Sequence, residues 1–510
     1  MRSIKKGQLR IYVLFAVIVS LAGFLFFLYG QSSERSVARS KDSAYVVELR
    51  ADGFFPEELT IPTGSRVIFT TTTNDYFWPA SNPHPTHEIY FGFDPQHLIE
   101  HQESWTFTFD KEGMWRYHDH IKPSFTGTII VEGKGNTIRP PDCKNSEKLA
   151  RDKAQQCWDW LLADTLKEKG LNAALDFFAN LYRTDARFAS SGCHWYAHRL
   201  GEEFYAQTHL RYADLIQASG LPPETYYCGF GFFHGWLEHM FRETQDWNNA
   251  KVVCDNLDKE LSGAILRIRL NCYHAMGHGA VVPPLSSKTW GNPNAVIEPA
   301  LRLCNSISAD PAEIRECIQG GFNVLADWMW RGEYGLKRPL SSAPLRFCES
   351  EEFTYDERLS CYYEMAMHLN DVGDNDLSRM AAFAQEVKDN ETAGTIMDVV
   401  AAGVLSSGII NDDYTKYVNV CHQVQERLRL RCIGGLSGGF MAYGEPQKEY
   451  VKALAFCALK ELREDERALC YKNSIRTFKG SYSKDKVGQI CALIDETYRI
   501  FCSYDVPQPL

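Results

Sequence analysis

Apolar residues are distributed along the chain in three successive patterns. The first is an uncharged run from Ile11 to Tyr29, preceded by Arg2, Lys5, Lys6 and Arg10. It is long enough to cross a bilayer as a helix, and basic flanks stay cytoplasmic. Residues 1–30 therefore predict a signal anchor, a transmembrane helix with the bulk of the chain extracytoplasmic, in a periplasm or at a cell surface. Ser36-Val37-Ala38 offers a small-residue cleavage site, but the apolar run exceeds an ordinary signal-peptide core. Residues 31–43, rich in Ser, Arg and Lys, predict a linker.

From residue 44 the pattern changes to alternation. Leu59, Ile61, Val67 and Phe69 recur every second position around the turn Pro62-Thr-Gly64, as half-buried strands require. Residues 44–133 thus predict an all-β domain.

Beyond residue 143 cysteine-centred units take over. Arg-Leu-Cys304 with Arg315-Glu-Cys317 recurs in outline as Arg346-Phe-Cys348 with Arg358-Leu-Ser-Cys361, and as Ala455-Phe-Cys457 with Arg467-Ala-Leu-Cys470. Each unit reads as the end of one helix, a connection and the start of the next. Residues 143–510 predict a large all-α array of disulfide-stapled helical hairpins, solenoid-like or toroidal, with intervals too variable for a named repeat.

All 16 cysteines lie between Cys143 and Cys502, an even number in a chain expected to be exported. Proximity pairs Cys143 with Cys157, Cys254 with Cys272, Cys304 with Cys317, Cys348 with Cys361, Cys421 with Cys432, Cys457 with Cys470 and Cys491 with Cys502. Cys193 and Cys228 remain for each other. The spacing Cys-x-x-Cys does not occur, so zinc fingers and dithiol redox sites find no support.

Two segments of the β region concentrate imidazoles: Asn82-Pro-His84-Pro-Thr-His87-Glu88 and Gly113-Met-Trp-Arg-Tyr-His118-Asp-His120. Alternation puts His118 and His120 on one strand face, and His84 and His87 can close a site around one ion. His97 and His101 have loop spacing and only raise the local imidazole density.

The frame around these histidines resembles the cupredoxin family. The resemblance is carried by Phe55-Pro-Glu-Glu-Leu-Thr-Ile-Pro-Thr-Gly64-Ser-Arg-Val-Ile-Phe69, then Asn74-Asp75, and at the far end by Gly113-x-Trp-x-Tyr-His-Asp119 and Phe125-Thr-Gly127-Thr-Ile-Ile-Val131. It implies a Greek-key sandwich and copper. The family's last loop carries a cysteine, a histidine and usually a methionine; an ungapped alignment puts Asp119, Lys122 and Phe125 there, and a shifted one puts Tyr117 on the cysteine and His120 on the histidine. Neither register restores a thiolate, and no cysteine precedes Cys143, so a blue site is not expected. Tyr-His118-x-His120 is also similar to the His-x-His segment of multicopper oxidases, whose trinuclear cluster draws on two such domains. The expectation is a mononuclear copper or zinc site on His87, His118 and His120, with His84 as fourth ligand.

A second set of imidazoles follows the cysteines of the helical region: His194 and His198 after Cys193, His234 and His239 after Cys228, and His274 and His278 after Cys272. Two of these pairs are spaced to share a helix face. They mark a possible second metal or ligand pocket; buried histidines hydrogen-bonded to backbone or to Glu202, Glu203 and Glu238 would produce the same pattern. The nearby glycines each cost about 1 kcal/mol in a helix relative to alanine, which calls for a packing or functional reason. Gly435-Leu-Ser437-Gly-Gly439 matches a nucleophile-elbow pattern in a region with no strand to precede it.

With 510 residues the chain exceeds one ordinary core, and a net charge of -11 excludes nucleic acid as a natural partner. The expected function is that of a membrane-anchored extracytoplasmic copper-binding protein in electron transfer or metal handling, with a helical scaffold or docking domain and a redox or metal-donor protein as partner. The alternative is a metal-dependent enzyme, oxidase or hydrolase, with its active site among the helical histidines.

Overall fold

In a computed structural model the described residues are 44–133 and 151–503, apart from 83, 85–86, 88, 186, 190–192, 209–227, 245, 262–267, 282–288, 406–413 and 444–447. The expected anchor, the linker and Cys143 lie outside them. Among the described residues no helix is long and apolar enough to cross a membrane.

Residues 44–133 form two four-stranded sheets. One has the order β2 (Gly53–Phe55), β1 (Ala44–Arg50), β4 (Ser65–Thr71), β6 (Ser104–Phe109), and the other β3 (Glu58–Pro62), β8 (Thr126–Glu132), β7 (Gly113–Asp119), β5 (Pro79–Ser81). Each sheet contains one parallel pair, β1 with β4 and β3 with β8. The alternation read from the sequence is realised side chain by side chain: Leu59, Ile61, Val67 and Phe69 are all buried between the sheets, with Trp115 and Tyr117 of β7 and Ile129 and Val131 of β8.

Helices make up most of the remainder. In chain order they are α1 (Arg151–Lys169), α2 (Leu171–Thr184), α3 (Cys193–Thr208), α4 (Gly231–Thr244), α5 (Trp247–Leu261), α6 (Ile268–Ala280), α7 (Pro293–Ile307), α8 (Pro311–Arg331), α9 (Tyr355–Met367), α10 (Asn370–Gly373), α11 (Leu377–Glu386), α12 (Asn390–Gly403), α13 (Thr415–Gln423), α14 (Glu426–Tyr443), α15 (Glu449–Cys457), α16 (Glu464–Ser481) and α17 (Lys484–Ala492). The main packing line runs α3, α4, α6, α8, α9, α12, α14, α16, each helix against the next.

Several of these helices carry the second cysteine of a pair. Disulfides join Cys193–Cys228, Cys254–Cys272, Cys304–Cys317, Cys348–Cys361, Cys421–Cys432, Cys457–Cys470 and Cys491–Cys502, with α-carbons 5.5 to 6.2 Å apart. Cys304–Cys317, Cys421–Cys432 and Cys457–Cys470 each fasten the end of one helix to the early turns of the next, where the chain reverses.

The glycines inside these helices have a packing reason. A Cβ on Gly235 of α4 would stand 1.9 Å from the carbonyl oxygen of His198 on α3, and one on Gly201 of α3 would stand 1.9 Å from that of Phe232 on α4. The same reciprocal contact recurs between α6 and α8, where Gly277 meets the Cys317 carbonyl and Gly320 meets the His274 carbonyl. Backbones this close admit no side chain. Ser437, in the elbow-like motif, lies within α14 and donates to the Gly434 carbonyl.

Glu364, buried in the α-helical core, has a clear pH consequence. Glu364 of α9 accepts from Asn323 Nδ2 at 2.8 Å, and burial pushes its carboxyl up to about 8 from 4.5. Between those values the unfolded chain releases a proton that the folded chain keeps. Stability should therefore fall as pH rises through this window, by up to about 1.4 kcal/mol per pH unit. Thermal melts of Glu364→Gln should show a flatter dependence there than the parent; an identical slope would assign the dependence elsewhere.

The two domains share a packing face. Trp78 and Ala80 of the β5 region are fully buried in the helical core cluster, not in that of the sandwich. Asn82 Nδ2 donates to Asp159 of α1 at 3.0 Å, and Arg116 of β7 lies 3.7 Å from the same carboxylate. The outward face of β5 and β7 is thus covered by helices, and His118 and His120 belong to that face.

Candidate metal centre between the domains

Strand alternation divides β7 sharply. Trp115 and Tyr117 point into the sandwich, whereas Arg116, His118 and His120 point to the helical side. Tyr117 is packed on Phe54, Phe69 and Phe93, so it cannot reach the histidines. Lys122 is exposed and paired with Asp75, and Phe125 packs on the sandwich core. Asp119 is buried and accepts from the Trp78 backbone N–H at 2.8 Å. Among the positions that the two cupredoxin registers nominate, only His120 faces the imidazole cluster.

His84, His87, His118 and His120 each present a ring nitrogen to the same point, with all four nitrogens within 4.8 Å of one another. His84 Nδ1 lies 3.1 Å from His118 Nε2, and His120 Nδ1 lies 3.0 Å from His87 Nε2. The opposite ring nitrogens have their own partners. His118 Nδ1 lies 2.9 Å from Asn82 Oδ1, and His87 Nδ1 lies 2.8 Å from Asp94 Oδ2. Although burial works to raise it, hydrogen bonds from His87 and Trp78 Nε1 hold the Asp94 carboxyl at about 2, so Asp94 is a carboxylate and the proton sits on His87 Nδ1. Acceptors on the outer nitrogens fix the tautomers and leave inner lone pairs to converge, as outer-shell partners do around metals.

His120 meets the helical domain. Its Nε2 lies 3.2 Å from Glu333 Oε2, a contact too bent for a hydrogen bond, and both Glu333 carboxylate oxygens are buried with no hydrogen-bond partner. Glu333 sits in a turn after α8 in which Tyr334 adopts φ 51 and ψ 31. A left-handed tyrosine costs of order 1–3 kcal/mol. The conformation is held by Trp78, Trp328 and His120 around the Tyr334 ring. His87, at φ 52, is a second left-handed residue at the site.

Electrostatics favour neutral imidazoles. Burial, reinforced by the neighbouring imidazoles, holds His84 and His118 well below the ordinary histidine range. Burial also lowers His87, against the pull of Asp94. Neutral imidazole is the form that binds metal. Three of the four rings are almost inaccessible, His118 at 0%, His120 at 3% and His87 at 6%, and only His84 is partly open. His97 and His101 lie on exposed loops, where their Nδ1 atoms meet the Pro95 and Thr73 carbonyls.

The helical histidines fall into two groups. His198, Glu238 and His278 offer ligand atoms within 4.8 Å of one another. His194, Nδ1 against the Cys228 carbonyl at 2.9 Å, and His234 and His274 ring this trio. His239 is not part of it; its ring packs on Tyr205 at 5.3 Å. Burial opposes a charge on His198, but hydrogen bonds to Glu202 and Glu238 raise its pKa to about 10. Burial drives His194 down to about 4 and holds His234 and His274 well below their usual range. The two clusters are neighbours, since a charge on His198 disfavours one on His84.

Asp94, Asn82 and Glu333 are the site residues that motif reading did not assign. Asn82 opens the segment that carries His84 and His87, and Asp94 lies seven residues from His87. Glu333 had no sequence signal: it reaches the site only through the packing of the helical domain on β5.

No protein-family model matches the chain, and a comparison with curated proteins finds no match. Among solved structures the chain is similar to a mutant of amicyanin in its reduced Cu(I) form, at 19% identity and TM-score 0.16, over 19% of this chain and 88% of that one. It is also similar to a purple cupredoxin from Nitrosopumilus maritimus, at 18% identity and TM-score 0.16, over 17% of this chain and 99% of that one.

Proposed function

We propose that this chain is an extracytoplasmic copper-binding protein whose metal centre lies between a cupredoxin-like β domain and a disulfide-stapled helical domain, and that it serves electron transfer or metal handling. The observation that carries the reading is the convergence of four imidazole nitrogens within 4.8 Å, with His87 and His118 locked at their outer nitrogens by Asp94 and Asn82. An all-nitrogen donor set suits divalent copper above the other common divalent ions. Zinc also accepts four imidazoles, so copper is set apart by affinity order and by the resemblance to cupredoxins in the sequence. Bound copper would supply a one-electron couple. The chain's own residues would hold it in a nearly dry cavity, keep the ligands neutral and present Glu333 beside His120.

Seven disulfides among the described residues support an oxidising compartment. In this reading residues 11–29 anchor the chain in the membrane and a redox or metal-donor protein delivers to the site. The second reading, a metal-dependent oxidase or hydrolase, is favoured by one observation, the trio His198, Glu238 and His278.

Electron paramagnetic resonance of the full chain with one equivalent of cupric ion tests the proposal. The expected spectrum has the wide hyperfine splitting and nitrogen couplings of an imidazole site, with weak visible colour. A narrow, thiolate-type splitting, or absence of nitrogen coupling, would contradict it.

A further inference from the structure

The trio on α3, α4 and α6 has the composition of a metal site in its own right. His198 Nε2 lies 3.1 Å from Glu238 Oε2, and His278 Nδ1 lies 3.8 Å from the same oxygen. On its other side His198 Nδ1 lies 3.3 Å from Glu202 Oε1. This is a carboxylate–imidazole pair of the kind that orients metal-bound histidines. The helices that carry the three ligands cannot drift apart cheaply, because glycine contacts seat α3 directly on α4 and because α6 packs on α4.

A metal-free account puts an imidazolium at His198 between the two carboxylates. That arrangement gives each ring nitrogen of His198 a carboxylate partner. It leaves both ring nitrogens of His234 and Nε2 of His278 buried without a hydrogen-bond partner. The His234 ring stands 5.1 Å from that of His278, so these orphaned nitrogens border the trio.

We propose that the helical domain binds a second metal ion, a zinc-class dication, on His198, Glu238 and His278, with an open coordination position bordered by His234. Two histidines and one carboxylate with a free position are the donor set of zinc centres that activate water, whereas closed structural sites use four protein ligands. The site is independent of the four-histidine centre, although the two are neighbours.

Zinc counting on the full chain, stripped with chelator, reloaded with zinc sulfate and desalted, tests the proposal. Glu238→Gln with His278→Gln should lose one zinc per chain relative to the parent, and His118→Ala with His120→Ala should keep that zinc. Cobalt titration of the parent gives a second readout that needs no substitution at the trio. Low-coordinate cobalt bands should appear and persist in the His118→Ala, His120→Ala variant. The proposal is overturned by a zinc count unchanged in folded Glu238→Gln, His278→Gln protein, or by cobalt bands that vanish with His118 and His120. If instead only the first centre's reading fails, the His118 and His120 changes leave both counts unaltered.

Discussion

Replacing His118 and His120 together with alanine is expected to weaken copper binding by about 1,000-fold or more, because two of four ligands are lost from a site whose full set is worth on the order of 10 kcal/mol. The two rings come from one strand face and approach from opposite sides of the cluster, His118 near His84 and His120 near His87. Neither remaining ring can replace them. Changing an outer partner should do less: Asp94→Ala should weaken binding about 10- to 100-fold, by freeing the His87 ring and its tautomer. His97→Ala, on its exposed loop, should leave affinity unchanged. Equilibrium competition against a chelator of known affinity measures all three. Equal losses for the double variant and for His97→Ala would remove the site assignment.

Gly235→Ala is expected to be among the most damaging single methyl additions in the helical domain, with Gly201, Gly277 and Gly320 in the same class. The added carbon would stand 1.9 Å from the His198 carbonyl oxygen, a backbone atom that cannot swing aside. Helices α3 and α4 would have to separate, with a loss of about 3 kcal/mol and a fall in the melting midpoint of roughly 5 °C or more. Gly438→Ala is the control, since its Cβ would meet nothing within 4 Å. Scanning calorimetry of the two variants settles the comparison; equal midpoints would show that the helices accommodate the contact. The same separation would pull His198 away from Glu238, so zinc uptake by the second cluster should fall with it.

Much of the β domain could be read from the chain because its determinants are local. Leu59, Ile61, Val67 and Phe69 alternate within one hairpin-sized stretch, and all four are core residues. His118 and His120 were identifiable as one-faced for the same reason. The choice between the two loop registers was not legible, because it depends on where Tyr117 points, and that is fixed by Phe54, Phe69 and Phe93 from distant strands. The interface was invisible for a related reason. Asn82 bonds Asp159 across 77 residues, and Trp78 leaves the sandwich for the helical core. Nothing in the periodicity of either segment records such a contact. Glu333 follows from the same docking, since its turn is shaped by Trp78 and Trp328 around Tyr334. In the helical region, cysteine spacing located the hairpins, but the six histidines could not be sorted by sequence. His234 and His239 are five residues apart on α4, and only the placement of α3 and α6 decides that His234 borders the trio while His239 packs on Tyr205.

The proposed copper centre is thiolate-free and draws on four histidines at the junction of the two domains. Anomalous diffraction at the copper absorption edge, from crystals of the full chain loaded with one equivalent of cupric ion, tests it most directly. The expected result is a strong peak enclosed by His84, His87, His118 and His120, with Asp94 and Asn82 behind the ligands and Glu333 beside His120. A copper peak elsewhere on the chain, with none among these four rings, would contradict the account.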